Sequence, residues 1–266
     1  MLLSNSISFF ILILYTYQGN GDYLKFFNSY DDEIRAKAYS KLEFYKTYHL
    51  AFRDLPEIFN KYVRGKKALD FGCGAGRSTR FLQKHGFSTI GIDISDEMIK
   101  IAKKIDPKGK YHLIKDGDYS KLCNNSFDLI LSAFTFDNIQ MEKKVDLFSG
   151  LSTLLNEEGI LINLVCSPEM YTNEWASFST KDFPQNKYAK SGDIVLIITN
   201  DFDDKRPCYD ILCSDEDYKN IYLESGLNLI KTFKPLAKGD EPYNWVNETR
   251  IAPWTIYVLK DKRYSR

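Results

Sequence analysis

Short apolar runs alternate with amphipathic segments through the middle of the chain. Helical spacing of apolar positions predicts helices over 76–85, 95–104 and 143–155. The run Phe127-Asp-Leu-Ile-Leu-Ser-Ala133 is nearly all apolar, which is typical of a strand buried on both faces. Alternation of strand and helix predicts an α/β fold with a mostly parallel sheet and helices on both faces. The predicted strands are 66–71, 88–92, 111–114, 127–133 and 159–165.

The pattern divides the chain into a core and added segments. An aromatic- and charge-rich helical cap is expected over 22–65, and Pro56 is expected in the first turn of its last helix. After Ser167 the alternation breaks, and 168–213 is predicted to be an inserted lid with a strand pair at 194–199 and 209–213. The core is expected to comprise 66–167 and 214–266, resuming with a helix at 215–225 and strands at 227–233 and 255–259.

The first residues form an apolar segment without charge. Its core, ISFFILILYTY at 7–17, is shorter than the ~20 residues of a spanning helix. It also lacks the basic start and small-residue end of a signal peptide. We interpret 1–21 as a non-native or appended leader, with a weak membrane anchor or export as alternatives.

Charge and cysteine content narrow the functional classes. Lys plus Arg and Asp plus Glu number 36 each, so no global field attracts nucleic acid or anionic lipid. The five cysteines form no CxxC pair and are odd in number, which favours reduced thiols in a cytoplasmic protein. The three histidines have no metal-type spacing, so no metal site is predicted.

The stretch ALDFGCGAGRST, residues 68–79, places three glycines between a predicted strand and a predicted helix. Such a loop is typical of a nucleotide-type site, because glycine permits tight turns and close ligand approach. A dinucleotide fingerprint needs a glycine where Arg77 stands. Asp70, at the strand end, would repel a pyrophosphate and suits a cationic ligand.

Two later strands also end near carboxylates. Asp93 ends the second strand, where it could accept hydrogen bonds from ribose hydroxyls. Asp118 follows the third strand, where it could accept from an adenine amino group, and Asp116 competes with it for that role. Together with Asp70, these residues indicate a positively charged adenosine without phosphates.

The segments LDFGCGAG, GIDIS, DGD and SFDLILS, in this order and spacing, resemble the motifs of class I S-adenosylmethionine-dependent methyltransferases. The resemblance covers about 66–165, and the strand order extends it to residue 259. It implies a Rossmann-like sheet with an antiparallel last strand pair, S-adenosylmethionine as the cofactor and methyl transfer as the activity. It implies the following cofactor contacts: Asp70, Gly72 and Gly74, with the small loop residue Cys73, at the methionine part; Asp93 at the ribose; Ile94, Met98, Asp118 and Tyr119 at the adenine; Ser132 and Ala133 near the sulfonium.

Candidates for the acceptor side follow the fourth strand and lie in the cap segments. Asp137 could be a catalytic base, with Asn138 orienting the acceptor and Phe134 and Phe136 walling the pocket; helix capping is an alternative for Asp137 and Asn138. His49 is the best base by residue type, although a structural role is the alternative. Tyr39 is expected to cover the cofactor, and Trp175 in the lid to contact substrate, although a packed lid has the same composition.

Three functions are consistent with these features. The first is a methyltransferase acting on O or N of a small molecule, favoured by neutral charge and a compact aromatic cap. The second is an RNA or tRNA methyltransferase, for which a basic stripe with stacking aromatics is expected. The only basic cluster noted, lysines 100, 103, 104, 108 and 110, follows the second strand and resembles a solvated face. The third is a catalytically silent methyltransferase-like binding protein, which the intact glycine loop disfavours.

Overall fold

The computed structural model of the chain describes residues 29–122 and 126–264. The apolar segment at 7–17, the rest of the predicted leader, and Cys123 lie outside these ranges. Within them, no helix has the length and apolar character needed to cross a bilayer.

A seven-stranded sheet forms the centre of the molecule. Its strands are β1 (Lys67–Phe71), β2 (Ser88–Asp93), β3 (Lys110–Leu113), β4 (Phe127–Ala133), β5 (Leu155–Cys166), β9 (Leu227–Phe233) and β10 (Trp254–Asp261). Their order is β3-β2-β1-β4-β5-β10-β9. The first five pair in parallel, and β10 runs antiparallel to both β5 and β9. The predicted mostly parallel sheet with an antiparallel last pair is therefore confirmed.

Seven α-helices surround the sheets in the described part of the chain. They are α1 (Glu33–Tyr39), α2 (Thr47–Arg53), α3 (Leu55–Tyr62), α4 (Arg77–Lys84), α5 (Asp96–Ile105), α6 (Met141–Ser152) and α7 (Asp215–Glu224). Pro56 stands in the first turn of α3, as predicted. Ser95 caps α5, since its side chain accepts a hydrogen bond from the Met98 amide.

Each central strand is buried on both faces, and alternate residues contribute to different cores. Leu129 and Leu131 of β4 join the core formed with α2, α3 and α4. Ile130, between them, joins the core formed with α6 and α7. This two-sided burial explains why β4 is a continuous apolar run instead of an alternating one.

The inserted segment between β5 and α7 forms a small antiparallel sheet. Its strands are β6 (Phe178–Ser179), β7 (Ile194–Thr199) and β8 (Cys208–Ile211), in that order. Sequence analysis predicted the pair β7 and β8 but not β6, because a two-residue strand is too short to show an alternating pattern.

This small sheet of β6, β7 and β8, which we call the cap sheet, packs against the N-terminal helices above one face of the central sheet. The rings of Tyr48 and Phe178 have centroids 5.2 Å apart. Glu248, which is buried, accepts hydrogen bonds from Thr47 Oγ1 and the Ala176 amide, both at 2.7 Å. Residues from the N-terminal helices, the cap and the loop before β10 thus share one polar junction.

Candidate functional site

The loop from Gly72 to Gly76 joins β1 to α4, and its three glycines have left-handed φ angles of 70°, 52° and 80°. A Cβ atom at Gly72 would approach Thr135 Oγ1 to 2.1 Å, and one at Gly76 would approach Tyr111 to 2.7 Å. At Gly74 the nearest atoms would be 4.0 Å away. Packing therefore requires glycine at the two ends of the loop. The space above Gly74 is open, as expected where a ligand approaches the backbone.

Asp70 lies fully buried in β1, next to this loop. Its Oδ2 atom accepts hydrogen bonds from Ser78 Oγ at 2.7 Å and Thr79 Oγ1 at 2.6 Å. Its Oδ1 atom is also buried and has no hydrogen-bond partner among the described residues. Burial raises the pKa of Asp70 to about 6, although the two hydroxyls lower it. An unpartnered buried acceptor is costly, and its presence here indicates a ligand that donates to it.

Asp93 connects the end of β2 to the glycine loop. Its Oδ2 accepts from the Gly74 amide and its Oδ1 from the Ser95 amide, each at 2.8 Å. Burial raises the pKa of Asp93, and these amides oppose that shift. A third backbone hydrogen bond, from Ile94, also lowers the pKa of this carboxylate. A carboxylate can accept about four hydrogen bonds, so these amides fix its orientation and leave room for a further donor.

The residues expected around an adenine occupy different environments. Ile94 is 36% exposed beside Asp93, whereas Met98 is 2% exposed and packs beneath Tyr39. Tyr119 is half-buried, and its ring lies 6.3 Å from that of Phe71. Of these three side chains, that of Ile94 has the largest exposed fraction.

The two competing acidic residues after β3 are both at the surface. Asp116 pairs with Lys143 at 2.6 Å. Asp118 accepts from the Ser120 amide at 3.0 Å, and hydrogen bonds from Ser120 lower its pKa. Because Asp116 is already paired with Lys143, Asp118 is the better candidate for an adenine contact.

A cavity of about 30 Å³ lies between the glycine loop, the end of β4 and the N-terminal helices. This volume corresponds to about one water molecule. Tyr39 and Phe134 were predicted to contact ligands and do line the cavity. The complete lining is Tyr39, Ser40, Phe52, Gly72, Cys73, Gly74, Ala75, Arg77, Ser78, Ala133 and Phe134.

Phe134 follows β4 with a φ angle of +63°, a conformation that is unfavourable for a bulky side chain. Several hydrogen bonds hold the turn. The Phe134 amide donates to Leu164 O at 2.8 Å, and Asn138 Nδ2 donates to Phe134 O at 3.2 Å. Thr135 Oγ1 donates to Phe71 O at 3.0 Å. Asn138 therefore positions the cavity wall by holding Phe134, and backbone strain coincides with the candidate site.

The structure does not bring Phe136, Trp175 or Ser132 to the cavity. Phe136 is fully buried and stacks on Phe148 at 3.8 Å in the opposite core. Trp175 is buried within the cap and donates to Met170 O at 2.9 Å. Ser132 is buried beside the cavity residue Ala133, and its Oγ has no partner in the described ranges. Burial of apolar surface, not ligand contact, explains the positions of the two aromatic residues.

Asp137 and His49, the two candidate bases, are also absent from the cavity lining. Asp137 is buried and accepts from the Cys166 amide at 3.1 Å, and burial raises its pKa. The His49 ring lies 5.6 Å from that of Tyr243, and burial followed by the nearby Arg53 lowers its pKa. Their catalytic roles remain predictions, and the geometry shows Asp137 fixing the end of β4 to the end of β5.

Sequence analysis did not assign Arg77 to the site, although it noted its unusual position after the glycines. The Arg77 guanidinium lies over four rings, at 4.7 Å from the Tyr48 centroid and 5.7 Å from those of Tyr39, Phe44 and Phe52. We call these four rings the aromatic cage. Tyr48 and Phe52 stand four residues apart on α2 and so face the same side, which is the signal that the sequence offered for this cluster, whereas Phe44 lies before that helix.

Comparisons with known proteins agree with this geometry. Residues 69–163 match the family model described as methyltransferase domain. An uncharacterized methyltransferase of Alkaliphilus oremlandii is 26% identical over 163 residues, covering 60% of this chain and 73% of that protein.

Solved structures with the same fold were also found. A methyltransferase from Clostridium acetobutylicum superposes with a TM-score of 0.57 at 17% identity, covering 87% of this chain and 95% of that one. The CcbJ methyltransferase from Streptomyces caelestis superposes with a TM-score of 0.62 at 12% identity, covering 88% and 98%. The family match therefore identifies a methyltransferase domain over residues 69–163, and the solved structures show that the chain shares the fold of S-adenosylmethionine-dependent methyltransferases.

Proposed function

We propose that this protein transfers the methyl group of S-adenosylmethionine to a nitrogen or oxygen of a small-molecule acceptor. The observation that carries the proposal is the buried Oδ1 of Asp70, which has no hydrogen-bond partner among the described residues, in the strand that leads into the loop with open space at Gly74. An acceptor without a donor, next to a loop that admits close approach, fits the cationic amino group of the methionine part.

The other cofactor contacts follow from the same edge of the sheet. Asp93, which its amide partners hold in a fixed orientation, would accept from the ribose hydroxyls. Ile94 would cover one face of the adenine with its exposed side chain, and Asp118 would accept from the adenine edge. Tyr39 would close the site from above.

S-adenosylmethionine supplies a methyl group already activated on a positively charged sulfur. The protein therefore has to align the acceptor and exclude water. Phe134 and Phe52, with the N-terminal helices behind them, provide an apolar wall for this purpose. A general base is needed only for an acceptor that must lose a proton early.

Coverage of the cavity by residues of the N-terminal helices supports a small acceptor. The alternative of an RNA acceptor relies on the lysines around α5. Lys100 there already pairs with Asp96 at 2.8 Å and Glu97 at 2.7 Å, so part of this cluster is neutralised within the helix. Salt-sensitive RNA binding would nevertheless favour that alternative over the proposal.

Cofactor binding is tested first, by thermal shift with S-adenosylmethionine and with NAD. Only a ligand of the native state raises the melting temperature, and we expect a rise with S-adenosylmethionine alone. Asp93→Ala should weaken that binding about 10- to 100-fold, since it removes two charge-assisted hydrogen bonds. Asp96→Ala, an exposed carboxylate change three residues away, is the matched control. Equal affinity of the two variants would contradict the ribose role of Asp93.

Catalysis is tested with methyl-labelled S-adenosylmethionine and a metabolite extract. Mass spectrometry should show a small molecule that gains one methyl group with wild-type protein and not with Asp93→Ala. Cofactor binding without any labelled small molecule or RNA would instead favour a silent binding protein.

A further inference from the structure

The aromatic cage occupies the side of the cavity that faces the end of β4. Phe52 of the cage and Arg77 within it both line the cavity, as does Phe134. The Tyr48 ring extends the aromatic surface, with its centroid 5.8 Å from that of Phe134. The cage is thus continuous with the place where a methyl group would be delivered.

The Arg77 side chain fills this cage and makes few polar contacts there. It is the one charged side chain in the cavity lining. Its guanidinium donates to Glu43 O at 3.4 Å, longer than an ordinary hydrogen bond. Among residues 29–122 and 126–264, no carboxylate lies within ion-pairing distance of it. Its charge is therefore stabilised mainly by the ring faces.

A cavity of about 30 Å³ is too small for an acceptor, so a side chain must leave before one enters. Arg77 is the best candidate, because it is flexible, half-exposed and held by a single long hydrogen bond. When it leaves, the four rings remain as a site that favours another cation. Ring faces attract alkylated ammonium groups and give no comparable advantage to a neutral group of the same shape.

We propose that the aromatic cage binds the acceptor as an alkylated amine, and that Arg77 occupies the cage until this amine displaces it. The proposal rests on the methyltransferase function and narrows its acceptor to nitrogen. An acceptor that arrives as an ammonium ion first releases a proton to solvent, and the free amine nitrogen then forms its bond to the methyl carbon with its own lone pair. The bond from that carbon to the donor sulfur breaks, the electron pair stays on sulfur, and the positive charge passes to nitrogen. The cage would stabilise that charge as it develops.

The experiment compares binding of choline with binding of 3,3-dimethyl-1-butanol, its uncharged carbon isostere, to the full chain without cofactor. Arg77→Ala should bind choline about tenfold more tightly than wild type, because the cage is then empty. The same variant should prefer choline to the isostere about tenfold. Titration calorimetry measures both, and thermal melting checks that each variant is folded.

Variants of the rings establish the location of binding. In the Arg77→Ala background, Phe44→Leu should weaken choline binding about three- to tenfold, whereas Tyr48→Phe, which keeps a ring, should leave it nearly unchanged. Lys66→Ala is the control for Arg77→Ala, since Lys66 lies over the Phe87 ring at 4.8 Å outside the cavity. Equal binding of choline and isostere, no choline binding, or no effect of Phe44→Leu would overturn the proposal. The choline experiment contains no cofactor, so its outcome is independent of the thermal shift with S-adenosylmethionine. Failure of the cage proposal can therefore be told apart from failure of the methyltransferase proposal.

Discussion

At the scale of single residues, the site combines groups whose local environments are unfavourable. Phe134 has a left-handed backbone and Asp70 has a buried, unpartnered oxygen. Both lie at the carboxyl ends of neighbouring strands, where α/β proteins bind ligands. The sequence predicted both as ligand contacts, but neither the strain nor the missing partner is visible in a sequence pattern.

Asp70→Asn should stabilise the protein and weaken cofactor binding. The pKa of Asp70 is about 6 in the folded protein and about 4 in an unfolded chain. Between pH 4 and pH 6 the carboxyl group is therefore protonated in the folded protein and ionised in the unfolded chain. The free energy of unfolding therefore falls as the pH rises from 4 to 6. Above pH 6 the ionised carboxylate lowers it by at most about 3 kcal/mol. The free energy of unfolding of Asp70→Asn should exceed that of wild type by up to about 3 kcal/mol at pH 7 and should equal it near pH 4.

Denaturant unfolding at the two pH values measures the stability gain, and thermal shift measures cofactor affinity. A variant that is destabilised at pH 7, or that keeps full affinity, would contradict the role given to Asp70.

At the scale of elements, ion pairs connect the N-terminal segment to the loop between β7 and β8. Lys46 pairs with Asp201 at 2.7 Å. Arg206 pairs with Asp32 at 2.9 Å and Asp204 at 2.7 Å. These contacts join α1, which carries Tyr39, to the cap sheet. The helix that contributes Tyr39 to the cavity lining is therefore held to the cap sheet by ion pairs.

Arg206→Gln should loosen α1 with little effect on global stability. Arg206 is half-exposed, so the cost is about 1 kcal/mol or less. Hydrogen exchange followed by mass spectrometry should nevertheless show faster exchange in peptides covering α1. The control is Lys219→Gln, which removes an exposed pair with Glu216 within one helix. Unchanged exchange in α1 would show that the ion pairs do not hold this helix in place.

At the scale of the whole molecule, core and cap share a buried acidic interface. Asp137 follows β4, and Asp210 lies on β8, which packs against that turn. Asp210 accepts from Tyr171 OH at 3.0 Å. Burial raises the pKa of both carboxyl groups. The charge of Asp137 raises the pKa of Asp210 further, and the nearby Lys144 lowers the pKa of both. A raised pKa means that stability declines as the pH rises above about 4 toward the folded value.

Asp210→Asn should therefore flatten the pH dependence of the melting temperature. We expect wild type to lose stability between pH 5 and pH 8, and the variant to lose less, because its amide still accepts from Tyr171 and carries no charge. Asp182→Asn, an exposed change in the same cap, is the control. Parallel melting profiles for wild type and Asp210→Asn would show that this interface does not set the pH dependence.

The sequence by itself determined the core fold and the position of the glycine loop within it. Strand periodicity, helix caps and the glycine loop are local features, since each depends on residues that are close in the chain. That is why β4, β9 and α5 were predicted at or near their observed limits. The acceptor side depends on contacts between segments far apart in sequence. Only the tertiary structure placed Phe136 and Trp175 in apolar cores and brought four rings around Arg77, because burial and ring packing are decided by which distant surfaces meet.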